Sequence, residues 1–291
     1  MQVPESEQLT TGCLGRIFDK TVATYKYFWF LSLMQEHART GNFRMDVWEL
    51  VIRMVANAWY PIHYFRLSFG KSDSLFEIVT ELQKETHLSI DASQKVIIGE
   101  LRGRLGEPAL RSRLRVLTLN VPYRFLRPWI DTSDDREMIR RSQMFENGCL
   151  YALYKDRNSF YIELNPSWDS YLYAHYGILV DFAYWNLTQF LQVRNPNVPA
   201  ISNKLIKPET RAPLTAQHRY WNTVMQITGP IECIYTGRQL HSGEYELDHF
   251  IPWSFVSHNL LWNLVPADGS VNSSKNDRLP DLERYLPKMA H

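Results

Sequence analysis

The stretch RNPNVPAISNKLIKPETRAP, residues 194–213, most constrains what this chain can become. It holds four prolines and no sustained helical or strand periodicity. Each proline removes a backbone donor and fixes φ, so regular structure does not pass readily through such a segment. The chain is therefore expected to fold as two domains, 1–193 and 214–291, joined by a linker over 194–213. A chain of 291 residues is long enough for each part to bury a core.

The first part reads as mainly helical. Apolar residues recur at helical spacing over 16–38 and 44–58, and Pro61 is expected to stop the second of these helices. Similar patterns lie near 72–84, 91–103 and 134–145. The run LYALYKDRNSFYIEL (150–164) alternates around a polar centre, which predicts a β-hairpin. Asn165-Pro166 supplies a helix start, and an aromatic-rich helix is expected from Ser167 to about Gln192. Beyond the linker, 214–228 reads as a helix ended by Gly229-Pro230, and 231–291 as short strands and loops. The fold class implied is α+β, a mainly α-helical N-terminal domain followed by a small C-terminal module.

Composition limits the classes of function. Hydrophobic residues at 45% and charged residues at 22% are those of a globular chain. The aromatic share of 13% suits core filling, with base stacking as the alternative. Net charge is +1, so a nucleic-acid surface has to come from a local patch. One candidate is Arg102, Arg104, Arg111, Arg113, Arg115, Arg124 and Arg127, among which Glu107 is the single acid. Such a run reads either as a phosphate-tracking surface or as unrelated exposed arginines. Cys13, Cys149 and Cys233 are far apart and odd in number, which suits a reducing compartment. No signal-peptide pattern opens the sequence, and the apolar stretches 25–34 and 171–191 are interrupted by Lys26, His175, Asp181 and Asn186. A cytoplasmic protein without a membrane span is expected.

The chemistry is concentrated in 232–280. A hairpin is expected from Cys233–Thr236 through a turn at Gly237, returning over Tyr245–Leu247 to Asp248-His249. Pro252 ends the second strand, and Asn272 begins a short helix. Strand end and helix start can converge. A carboxylate and an amide oxygen are hard ligands suited to Mg²⁺ or Mn²⁺, and a neighbouring histidine can take a proton from water.

This segment resembles the HNH (ββα-metal) endonucleases, especially the HNH domain of CRISPR-guided DNA nucleases. The likeness rests on Asp248-His249 followed by Phe-Ile-Pro-x-Ser-Phe (250–255), on Asn263 fourteen residues after His249, and on Asn272 nine after that. Asn-x-x-Lys (272–275) and Cys-x-Tyr-Thr-Gly-Arg (233–238) match as well. The resemblance implies a C-terminal ββα-metal domain with His249 as general base and Asp248 and Asn272 holding one divalent ion. It implies that Asn263 orients the loop and the base, and that Lys275 approaches a phosphate. Alternatives remain: Asn272 as a helix cap, Asn276 as the rival ligand, Lys275 as a solvated charge, and His241 and His258 as loop residues or DNA contacts.

Many HNH proteins carry two Cys-x-x-Cys pairs around a structural zinc. Here Thr236 follows Cys233 where a second cysteine would lie, and Asp268 and Val271 occupy the other pair's positions. No structural zinc is expected. Packing by Trp253, Phe255, Leu261 and Trp262 is expected to hold the module together instead.

The phrases ATYKYFWFLSLM (23–34), VPYRFLRPW (121–129) and RNPNVPAISNKL (194–205) are similar to the N-terminal part of stand-alone prokaryotic HNH proteins that accompany anti-phage defence genes. The resemblances together imply a nuclease acting on DNA, with double-stranded DNA favoured, in defence against phage DNA and alongside other defence proteins. A non-cleaving DNA-binding or scaffold protein is the alternative, as is a nuclease for RNA or single-stranded DNA. Because one HNH module cuts one strand, a homodimer stays open.

Overall fold

The computed structural model of the protein describes residues 2–157, 159–207, 213–275 and 278–289. The chain forms two compact units. One contains the residues up to Asn197 together with Lys204–Lys207, and the other contains Val198–Asn203 together with the chain from Pro208 onward.

The larger unit is built on the helix Val47–His63, which packs against the helices Tyr25–Thr40, Ser74–Thr86 and Gln94–Gly103. Residues 44–46, expected to be helical, instead form strand β1 (Arg44–Asp46). Asp46 has extended backbone and its side chain accepts from Trp48 N at 2.7 Å, so the helix can start no earlier than Val47. Arg44, Met45 and Asp46 pair with Glu163, Ile162 and Tyr161 of β3 (Phe160–Leu164). The expected hairpin is present as β2 (Tyr151–Lys155) and β3, giving an antiparallel sheet in the order β1-β3-β2.

Pro61 does not stop the central helix, which continues to His63. A proline so near a helix end forfeits one hydrogen bond, and Ile62 beyond it is buried in the core, which offsets that loss. The helix over Pro108–Leu119 has no counterpart in the sequence reading. The single helix expected over 167–192 is broken at His175, into Asp169–Ala174 and Tyr176–Arg194.

The proline-rich stretch is partly structured. Asn195 is buried and exchanges two hydrogen bonds with the backbone of Ser68, at 2.8 and 2.9 Å. A 3₁₀ turn spans Ile201–Lys204, and Leu205 is buried. Residues 208–212 lie outside the described residues.

In the smaller unit, β4 (Ile231–Glu232) pairs with β5 (Gln239–Leu240), and β6 (Glu246–His249) pairs with β7 (Leu264–Ala267), both antiparallel. The hairpin expected between Cys233–Thr236 and the Asp248 strand is therefore not formed, because β6 takes its partner from downstream. The core consists of Met225, Cys233, Leu240, Tyr245, Leu247, Leu264 and Ala267, with Leu214, Trp221, Ile231 and Tyr235 against it. The expectation that Trp253, Phe255, Leu261 and Trp262 hold the module together is corrected, since Phe255, Leu261 and Trp262 are exposed. Leu247 of β6, Leu264 and Ala267 of β7 and Met225 of the helix Thr215–Thr228 supply much of the core. Among the described residues no helix is long and apolar enough to cross a membrane.

Within the larger unit, Glu36 and Arg53 are buried and paired at 2.6 Å. Removing one partner strands a charge in the core. Glu36→Ala should lower unfolding free energy by about 3 kcal/mol, and the Glu36→Leu/Arg53→Met double variant by distinctly less. Urea titration measures both, and equal losses would contradict this account of the pair.

Candidate active site

Strand β6 carries Glu246 and Asp248 on one face and Leu247 and His249 on the other, because side chains alternate along a strand. The helix Gly269–Lys275 packs on this strand. Its Asn272 and Lys275 are three residues apart and share a helix face. They meet the strand in register: Asn272 Nδ2 donates to Glu246 Oε2 at 2.7 Å, and Lys275 Nζ donates to Asp248 Oδ1 at 3.0 Å. Gly269 lets the helix come this close, since a Cβ there would sit 3.1 Å from Glu246 Oε1. Asn272, expected at or near the start of this helix, lies within it. Asp268 occupies the start instead and accepts from Ser270 N at 3.0 Å and Ser270 Oγ at 2.6 Å.

Asp248 is 3% exposed, yet both its oxygens are engaged. Tyr235 OH donates to Oδ2 at 2.6 Å, and the Lys275 ammonium, itself nearly buried, holds Oδ1. The same ammonium donates to the His249 carbonyl at 2.7 Å. Burial and the adjacent Asp248 carboxylate both push the Tyr235 hydroxyl well above its ordinary pKa, so it stays a donor.

His249 is half-buried, and its Nε2 lies 2.9 Å from Asn259 Oδ1. Facing an amide oxygen, Nε2 is the nitrogen that would carry the proton in a neutral imidazole. Asn263 is fully buried, and its side chain spans the backbone of Ile251, accepting from Ile251 N and donating to Ile251 O, each at 2.8 Å. Phe250 N donates to Asn263 O at 2.9 Å. The loop that follows β6 is thereby fixed at its first two residues.

The hairpin at the unit's start turns at Gly237, whose φ of +74° suits glycine. Cys233 is fully buried and accepts from Asp268 N at 3.5 Å. Burial raises the thiol's pKa, but hydrogen bonds from Thr236 and from the Asp268 backbone outweigh it and leave the thiol below its ordinary value. Arg238 and Asp268 form an ion pair at 2.9 Å across the same two loops. Cys233, Thr236, Asp268 and Arg238 thus join the segments that a zinc knuckle joins elsewhere. Among the described residues no three His, Cys, Asp or Glu side chains converge.

The other expected residues are dispersed. His241 is exposed, and the His258 ring packs edge-on to Trp262 at 5.3 Å. Asn276 lies outside the described residues. In the larger unit Arg102 binds Glu49, Arg104 binds Glu107, and Arg113 binds Glu81 and Glu85. Arg111 donates to Leu105 O and lies over Trp48. Arg115 is exposed. Tyr235, Glu246 and Asn259 were not foreseen from the sequence. Glu246 has a signal in hindsight, the i, i+2 spacing to Asp248; Asn259 has none.

Residues 233–281 match the family of HNH endonucleases. No curated protein and no solved structure matches the chain. The C-terminal module is therefore an HNH endonuclease domain, within an α+β protein whose N-terminal part is helical. Such a domain acts on nucleic acid, and HNH nucleases are generally metal-dependent.

Asn263→Ala would leave the Ile251 N–H and C=O without partners, destabilising the smaller unit by about 3 kcal/mol. Amide exchange at Ile251 should accelerate accordingly. Unchanged protection there would contradict the role of Asn263 as the loop's tether.

Proposed function

We propose that the HNH domain is a DNA endonuclease that hydrolyses phosphodiesters with one Mg²⁺ or Mn²⁺ and His249 as general base. The observation that carries this reading is the Asp248-His249 pair on β6 beneath the helix that bears Asn272 and Lys275. The donor set fits a hard divalent cation. Asp248 offers a carboxylate whose Oδ1 is held by the Lys275 ammonium, a cation standing where a metal would have to displace it, and with Asn272 Nδ2 given to Glu246, the Asn272 amide oxygen is the atom left for a cation. Asp248 and Asn272 would hold the ion, which when bound supplies positive charge for the phosphate and the departing oxygen.

The protein's own groups do the rest. Asn259 sets the tautomer of His249, so that Nδ1 takes the proton of the attacking water. Asn263 holds the loop against which the histidine is oriented. Tyr235 fixes one Asp248 oxygen and so orients the other. Lys275 is assigned to a substrate phosphate, which its position beside Asp248 favours. The likeness of 232–280 to DNA-cutting HNH domains supports DNA as substrate, and that of the N-terminal phrases supports a role against foreign DNA.

His249→Ala should lose about 10²- to 10⁴-fold in plasmid cleavage, with the urea midpoint unchanged. Full activity in that variant, in protein free of contaminating nuclease, would overturn the assignment. Competition among labelled duplex, single strand and RNA identifies the substrate; strongest protection by RNA would replace DNA in this reading.

A further inference from the structure

A second candidate site lies in the larger unit, on residues the nuclease reading does not use. A cavity of about 450 Å³ opens beside the start of the helix Tyr25–Thr40. Its walls carry Arg16, Lys20, Lys26, Arg124 and Arg127, against the single carboxylate of Asp19. Arg124 and Arg127 are the last two arginines of the run that begins at Arg102. Arg102, Arg104 and Arg113 each lie against glutamate. Among the described residues, none of the five cavity cations forms an ion pair. Arg16 bonds only the Gly12 carbonyl and the Cys13 sulfur, and Lys26 Nζ donates to Ile17 O at 2.8 Å.

Like charges brought together without counter-charge destabilise the folded chain, and a bound anion relieves that repulsion. Lys26 feels it directly. Burial and then Arg127 and Arg124 lower its pKa to about 8, despite the opposing influence of Asp19. The cavity is not cationic throughout. Tyr25, Val22, Val121 and Pro128 line it as well, and Asn120 and Ser72 add polar groups. A volume of this size suits a small ligand. Cations with an adjoining apolar and aromatic wall suit a ligand having phosphates at one end and a flat ring system at the other.

We propose that this cavity binds a nucleotide bearing two or more phosphate charges, either free or as the phosphorylated end of a strand. Arg124 and Arg127 supply forked donors to the phosphates, Lys26 a point charge, and Tyr25 a surface for the base.

The full-length protein tests this in direct binding titrations with three probes: ATP, a 5′-phosphorylated DNA dodecamer, and inorganic phosphate. Arg124 and Arg127 are exposed, so the Arg124→Gln/Arg127→Gln variant should fold, and circular dichroism checks that it does. Lys26→Met is a second, independent variant. The expected result is ATP or dodecamer binding that weakens at least tenfold in both variants. Binding of ATP identifies the free nucleotide as the source, and binding of the dodecamer alone identifies the strand end. Absence of millimolar or tighter binding by either probe would overturn the proposal, as would unchanged affinity in both variants. Inorganic phosphate binding as tightly as ATP would also overturn it, since the apolar wall would then contribute nothing. Because the readout is binding at the larger unit, its outcome is separable from that of the cleavage assay.

Discussion

The Asp248 carboxylate organises the smaller unit. A charge so fully withdrawn from water costs several kcal/mol unless its oxygens are satisfied, and three elements converge to satisfy it. Strand β6 supplies the carboxylate, the hairpin at the start of the unit supplies the Tyr235 hydroxyl, and the helix Gly269–Lys275 supplies an ammonium. Without Asp248, Lys275 would be a nearly buried cation lacking its counter-charge, and the helix would lose one of its polar attachments to the strand. On the proposed function, chemistry and folding draw on the same atom. A change at this position therefore tests both, which is why the neighbouring His249, half-buried and outside the ion pair, is the cleaner probe of catalysis.

The part of the site legible in the sequence was the part fixed by spacing. Asp248-His249, Asn263 and Asn272 stand at separations that identify the module, and all four lie in the matched segment. What was not legible depends on strand pairing. The alternation around Asp248 indicates a strand but not its partner, and the partner proved to be Leu264–Ala267, downstream. Tyr235 and Asn259 approach the site only once that pairing and the intervening loop are formed, and no local pattern marks either residue. The error over Trp253, Phe255, Leu261 and Trp262 has a similar origin. Large apolar residues suggest a core, but this one draws on the helix Thr215–Thr228, the short strands and the loops beside them rather than on these four.

In the larger unit most helices were readable from periodicity, Pro108–Leu119 being missed, and their ends were not. Asp46 begins the central helix through a side-chain bond, and Pro61 is tolerated because the residue after it is buried. The arginine run shows the limit of composition as evidence. The fold sets Arg102, Arg104 and Arg113 against glutamates and leaves the last two arginines facing a cavity. Only the three-dimensional placement of acids separates them.

The three-residue step on the helix matched to a two-residue step on β6 makes the site sensitive to chain length. Substituting one residue of that helix changes one contact. Inserting one between Asn272 and Lys275 would turn everything beyond it by about 100°, carrying Lys275 away from Asp248 while leaving Asn272 on Glu246. Over these residues length is held more tightly than identity.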